Sequence, residues 1–263
     1  MFKIITLISL TFIFLSCAGK DPNEVDTEAP QRANLISHKG NTGDIIAGDT
    51  LNYCESNGFE HNGIDAVSGE MDKIQITWQH ILDNDIDYID IFRFNLQDND
   101  TLRIGTLNTP DQDYYNDTFI GEDEPTQVKW FYFIKVVDEA GNFSLSDTVA
   151  YQLLDQPYLI APNNNELYGN LNNITFEWDK SGEQYTNRLL VFDSEYRLKW
   201  VYETIVNPEQ DQYSVDYNGP EINDSMIYWR VEYIANPNYF TVNGIEYEVN
   251  IGSESETRII YLD

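Results

Sequence analysis

The stretch that decides the fold is "YFIKVVDEAGNFSLS", residues 132–146. Tyr132, Ile134 and Val136 alternate with Phe133, Lys135 and Val137, and a period of two sends successive side chains to opposite faces of an extended chain. The carboxylates that follow, Asp138 and Glu139, could edge a catalytic or metal site. However, "EAGN" (139–142) is made of turn residues, and "SLSDTVAY" (144–151) resumes an extended pattern. The stretch reads as strand, turn, strand, with the acids at the strand's end.

Working outward, "KIQITWQ" (73–79) places Ile74, Ile76 and Trp78 on one face and Gln75 and Thr77 on the other. That is the signature of a half-buried antiparallel strand. The pattern then repeats about a hundred residues later. "NITFEWD" (173–179) aligns Ile174, Phe176 and Trp178, "IYWRVEY" (227–233) aligns Ile227, Trp229, Val231 and Tyr233, and "SESETRIIYL" (253–262) answers "SLSDTVAYQL" (144–153). No long helical period interrupts them, and Asp, Asn, Gly and Pro separate the runs. The expected fold class is all-β: two tandem sandwiches joined around "LLDQPYL" (153–159).

This order resembles tandem fibronectin type III domains, covering 31–154 and 155–263, after a signal peptide and a short tether. The matching features are Trp78 and Trp178 on the second strand, the tyrosine-led strand and turn at 132–146, and its tryptophan variant at 227–233. The resemblance implies immunoglobulin-like β-sandwiches with Tyr132 at a tyrosine corner, its hydroxyl bonded to nearby backbone. The second copy has Ile227 at that place, so the corner would be lost there. Two departures stand out. Residues 39–72 form a long insertion between the first two strands, and Asn243-Gly244 marks a type I′ hairpin at about 239–249, expected to project from one end of the second sandwich.

The amino terminus, "MFKIITLISLTFIFLSC", carries Lys3, an apolar run from Ile4 to Leu15, and then Ser16 and Cys17. A bilayer span needs about 20 apolar residues, so this run is that of a secretion signal. Its layout resembles a bacterial lipoprotein signal over residues 1–16, although Phe14 stands where that pattern prefers Leu. The resemblance implies lipidation at Cys17, a membrane partner through the anchor, and a place in the bacterial cell envelope, in particular the outer membrane. Residues 17–30, polar and proline-containing, read as a flexible tether. Cys54 is then the lone thiol and cannot form an internal disulfide.

The chain carries 45 Asp+Glu against 15 Lys+Arg, a formal net charge of -30. Such a surface repels nucleic acid, and anionic lipid over most of its area. Calcium is the metal to weigh, but the strongest local pattern fails: "DNDIDY" (83–88) has Tyr88 where an EF-hand loop needs Gly, and Phe94 where it needs the closing Glu. Asp111, Asp113 and Asp117 remain weak calcium candidates. His38, His61 and His80 lack zinc spacing, and no nucleophile elbow or phosphate-cradling glycine motif is present. The expectation is a chain that is not an enzyme and needs no cofactor.

A better candidate for function is an apolar face. If Ile89 and Ile91 point inward, then Tyr88, Phe92 and Phe94 point outward, joined on the neighbouring strand by Phe131 and Phe133. A monomer rarely leaves such a patch wet, so it is either covered or a docking face. Tyr239, Phe240 and Tyr247 of the hairpin are the second candidate set. The sequence thus points to a lipid-anchored protein-binding or spacer module, with an unknown envelope protein or glycan as partner. A carbohydrate-binding accessory lipoprotein and a calcium-rigidified adhesion module are the alternatives.

Overall fold

The computed structural model describes residues 26–37, 64–65, 73–96, 100–108, 111–118, 128–179, 186–195, 197–205, 211–234, 238–242 and 244–263. The expected signal peptide, Cys17, Cys54 and most of the insertion lie outside them.

The alternating runs of the first half form β1 (Leu35–Ile36), β2 (Ile64–Asp65), β3 (Lys73–Trp78), β4 (Ile86–Phe94), β5 (Thr101–Leu107), β6 (Tyr114–Asp117), β7 (Lys129–Asp138), β8 (Phe143–Leu145) and β9 (Val149–Leu153). β3 is flanked by β6 on one edge and by β1 and β2 on the other. The facing sheet runs β5, β4, β7, with β8 and β9 in turn on the far side of β7. Ile74, Ile76 and Trp78 meet Ile89, Ile91, Ile134 and Val136 between the sheets, all essentially inaccessible to water. Burial on this scale stabilises by about 25 cal/mol per Å² of apolar surface, which is what holds an uncrosslinked sandwich together.

The second half repeats the plan with β10 (Leu159–Ala161), β11 (Glu166–Tyr168), β12 (Thr175–Asp179), β13 (Thr186–Phe192), β14 (Leu198–Ile205), β15 (Gln212–Asp216), β16 (Met226–Ile234), β17 (Asn238–Val242), β18 (Ile245–Glu254) and β19 (Arg258–Leu262). β10, β12 and β15 make one sheet, and β14, β13, β16 and β19 the spine of the other. Each half is an immunoglobulin-like β-sandwich, antiparallel throughout within the half except that β11 joins β19 in parallel. Trp178 and Trp229 are fully buried in the second core, as Trp78 is in the first.

The expected tyrosine corner takes a different form. The Tyr132 hydroxyl donates to the Asp117 carboxylate at 3.0 Å rather than to backbone, and Arg93 pairs with the same carboxylate at 2.7 Å, its guanidinium 4.2 Å from the Trp130 ring. Arg93 brings a charge into the core that only a carboxylate satisfies well, and Asp117 then recruits the phenol. Burial first, and the Asp117 charge second, push the Tyr132 phenol well above its usual range. In the second sandwich two tyrosine hydroxyls donate to backbone, Tyr233 to the Asp179 carbonyl and Tyr217 to the Pro220 carbonyl.

The halves share a sheet. Residues 249–252 of β18 pair in parallel with residues 150–153 of β9, Val249 against Ala150 and Gly252 against Leu153, and the Leu154 amide donates to the Gly252 carbonyl at 2.9 Å. Parallel neighbours need a long connection, and here the intervening body of the second sandwich supplies it. Among the described residues this gives one twelve-stranded sheet. Register then sets the packing. Val249 and Ala150 belong to the second core, whereas Tyr151, opposite Asn250, belongs to the first. The two smaller sheets therefore pack on opposite faces of the shared one, since side chains alternate across a strand.

Residues 26–30, read from composition as tether, lie on the first sandwich: Asn142 Nδ2 donates to the Asp26 carbonyl at 3.1 Å, and Pro30 is buried. Ser37, just after β1, accepts from Asn250 Nδ2 at 2.8 Å, which ties the end of β1 to the shared strand.

Candidate functional site: the joint and the face beside it

The two candidate sets meet each other. Phe131, expected on the outer face, does lie there, but it is wholly buried in the second sandwich's core together with Ala150. Its ring stacks on Phe94 at 5.0 Å and meets the edge of Tyr247 at 5.3 Å. The hairpin that places Tyr247 does not project away. β17 and β18 pair Phe240 with Tyr247 and Val242 with Ile245, so alternate residues share one side. Phe240, Val242 and Tyr247 turn that side toward the core, and the Lys129 ammonium sits 4.7 Å from the Phe240 ring. Gly244, at φ +82, takes the left-handed conformation the tight turn requires. The physical reason for both differences is the same: an aromatic stripe and an amphipathic hairpin lose more water by covering each other than by standing apart.

The remaining candidates divide. Phe92 and Phe133 stack face to face at 5.0 Å and 6° and are half-buried, as is Tyr88. Tyr239, on the outer side of the hairpin, is 62% exposed. The calcium candidates do not converge: Asp111 and Asp113 are exposed in the connection before β6, whereas Asp117 is spent on Arg93 and Tyr132 inside the core. Among the described residues no group of three or more His, Cys, Asp or Glu is placed to hold a metal.

Sequence reasoning missed Lys129, Ala150 and Asn250 as joint residues. The one available signal was the length of the run "IEYEVNIGSE" (245–254), which outlasts its partner β17 and so offers a free edge to another strand. It also missed a buried charge network on the opposite face of the second sandwich. Arg230 contacts Glu232 and Glu254 at 3.2 Å each, and Arg188 lies 4.0 Å from Glu232 while pairing at 2.7 Å with half-exposed Glu203 at the rim. In the β13–β14 turn, burial works against the charge of Asp193. The Arg197 amide, the Lys199 and Arg197 side chains and the Glu195 amide outweigh it and hold the carboxyl down at about 2.

No protein-family model matches the chain, and no curated protein does either. Several solved structures are similar to it. The FN1–FN3 domains of chicken CNTN1 share 12% identity over 76% of this chain and 65% of that one, with a TM-score of 0.31. This chain therefore spans just under two thirds of that fragment. The fibronectin(III)-like modules of Clostridium thermocellum CbhA share 13% over 76% and 90%, with a TM-score of 0.26. The chicken interferon gamma receptor alpha chain shares 8% over 76% and 95%, with a TM-score of 0.28.

Proposed function

We propose that the chain is a non-catalytic, lipid-anchored spacer of the bacterial cell envelope, with protein binding at its exposed surfaces. The observation that carries the reading is the shared sheet. A joint made of parallel backbone pairing, an aromatic stack and a T-shaped ring contact holds two sandwiches as one rod, where a bare linker would let them swing. A rod tied to lipid through Cys17 would carry the second sandwich at a fixed distance and orientation. Glycan binding is the weaker alternative, because the faces of Phe92 and Phe133, which a sugar ring would use, are turned on each other.

The rod is tested by spin labels at Leu102 and Ile205, both exposed and on opposite edge strands. A narrow distance distribution is expected, and a broad one would sink the reading. The anchor is tested separately by mass: the mature protein should carry acyl chains that Cys17→Ala abolishes.

A further inference from the structure

Beyond the joint, the described residues leave the outer face of the first sandwich open. On β4, β7 and β8 it carries Phe92, Phe133, Phe143 and Leu145, the last two 53% and 48% exposed. Lys135 lies among them, its ammonium 4.4 Å from the Phe143 ring, and Arg103 stands at the β5 edge with its side chain 60% exposed. Besides exposed Asp87 at the β4 bulge, the acid that these three strands turn to this face is Asp90. It is nearly buried, accepts from Thr106 Oγ1 at 2.6 Å, and lies 3.4 Å from Arg103. In a chain with three acids for every base, two cations against two acids, with Arg103 paired to Asp90, make this apolar ground a local relief from the negative charge of the rest.

Position supplies a second, independent argument. The segment after Asp26 runs along the edge of this face, Asn142 Nδ2 reaching the Asp26 carbonyl at 3.1 Å and Ser144 Oγ the Gln31 carbonyl at 3.2 Å. Eight residues separate Cys17 from Asp26, and even fully extended they span at most roughly 30 Å. A chain acylated at Cys17 would therefore hold this face close to its own bilayer.

We propose that the outer face of the first sandwich lies against the anionic lipid surface that receives the Cys17 acyl chains. Phe143 and Leu145 enter the interface, and Lys135 and Arg103 meet the headgroup phosphates. The acidic remainder of the surface is repelled by those lipids, so repulsion elsewhere selects this face for contact. The inference rests on the lipid-anchor reading.

The test uses the mature acylated chain with Cys54→Ser, carrying an environment-sensitive dye either at Leu145→Cys or at Ile205→Cys. It is reconstituted in phosphatidylethanolamine–phosphatidylglycerol vesicles, some with brominated lipid as quencher. The dye at 145 should shift to the blue and be quenched by brominated lipid, and the dye at 205 should remain water-like. Lys135→Glu should abolish the shift at 145 while the protein still sediments with the vesicles. A water-like dye at 145 on sedimenting protein, or equal quenching at both sites, would overturn the face proposal and leave the anchor standing. Failure of the wild-type chain to sediment with vesicles would overturn the anchor and this inference with it.

Discussion

The two sandwiches leave their long seventh-strand counterparts, β7 and β16, in different ways. After β7 the chain turns at once, the Gly141 and Asn142 amides capping Asp138, and starts β8. After β16 it inserts the β17–β18 hairpin, and β18 goes on to pair with both β16 and β9. The short connection closes one sandwich, whereas the long one closes a sandwich and fastens it to its neighbour. The difference teaches that the joint needs an elaborated turn, which brings β18 to the linker's own first residues, Leu153 and Leu154.

The sharpest way to break this comparison is Phe131→Ala. Phe131 belongs by chain to the first sandwich and by burial to the second, and its loss should cost about 3–5 kcal/mol in chemical denaturation. If the joint makes the halves one cooperative unit, the single transition should also split in two. Removing the hairpin's contribution with Tyr247→Ala should cost about 2 kcal/mol and broaden the Leu102–Ile205 distance distribution, because one edge contact is lost while the strand pairing remains. Phe133→Ala, two residues along the same face, should cost only about 1 kcal/mol and leave that distribution narrow, since its ring stacks on Phe92, meets Phe94 only at a tilted 6.5 Å, and belongs to neither core. Equal costs at 131 and 133 would refute the assignment of the joint.

The smallest effect is in acid. Asp193 has its carboxyl held at about 2 in the folded protein against an ordinary value of 3.8. Its stabilisation is present above the ordinary value and is lost as pH falls through about 2. The loss should be about 1 kcal/mol, discounted because the Arg197 partner is half exposed to solvent. Asp193→Asn should flatten the acid limb of a stability-versus-pH curve. Because Asp193 sits in the second sandwich, an acid limb seen equally by probes in both halves would support a cooperative joint.

Much of the fold was legible in advance for a physical reason: alternation is local. Ile74, Ile76 and Trp78 declare a buried face within six residues, and Ile174, Phe176 and Trp178 declare it again. The aromatic stripe of Phe94, Phe131 and Phe133 and the hairpin tyrosines were legible as residues that need cover, but not as cover for one another. The Asp117–Arg93–Tyr132 cluster was illegible, because residues 93, 117 and 132 are far apart in sequence and only strand order stacks them in one layer.

By itself, then, the sequence determined two β-sandwiches, their strand faces, the tight turn at 139–142 and the hairpin at Asn243-Gly244, because each follows from neighbouring residues. Tertiary structure alone decided which strand edges meet. Edge pairing is made by backbone groups that every residue carries, so no side-chain pattern marked β9 as the partner of β18. The same choice separated Phe131 from Phe133. They are identical side chains on one face of one strand, and only the second sandwich, laid over the first of them, made one a core residue and left the other at the surface.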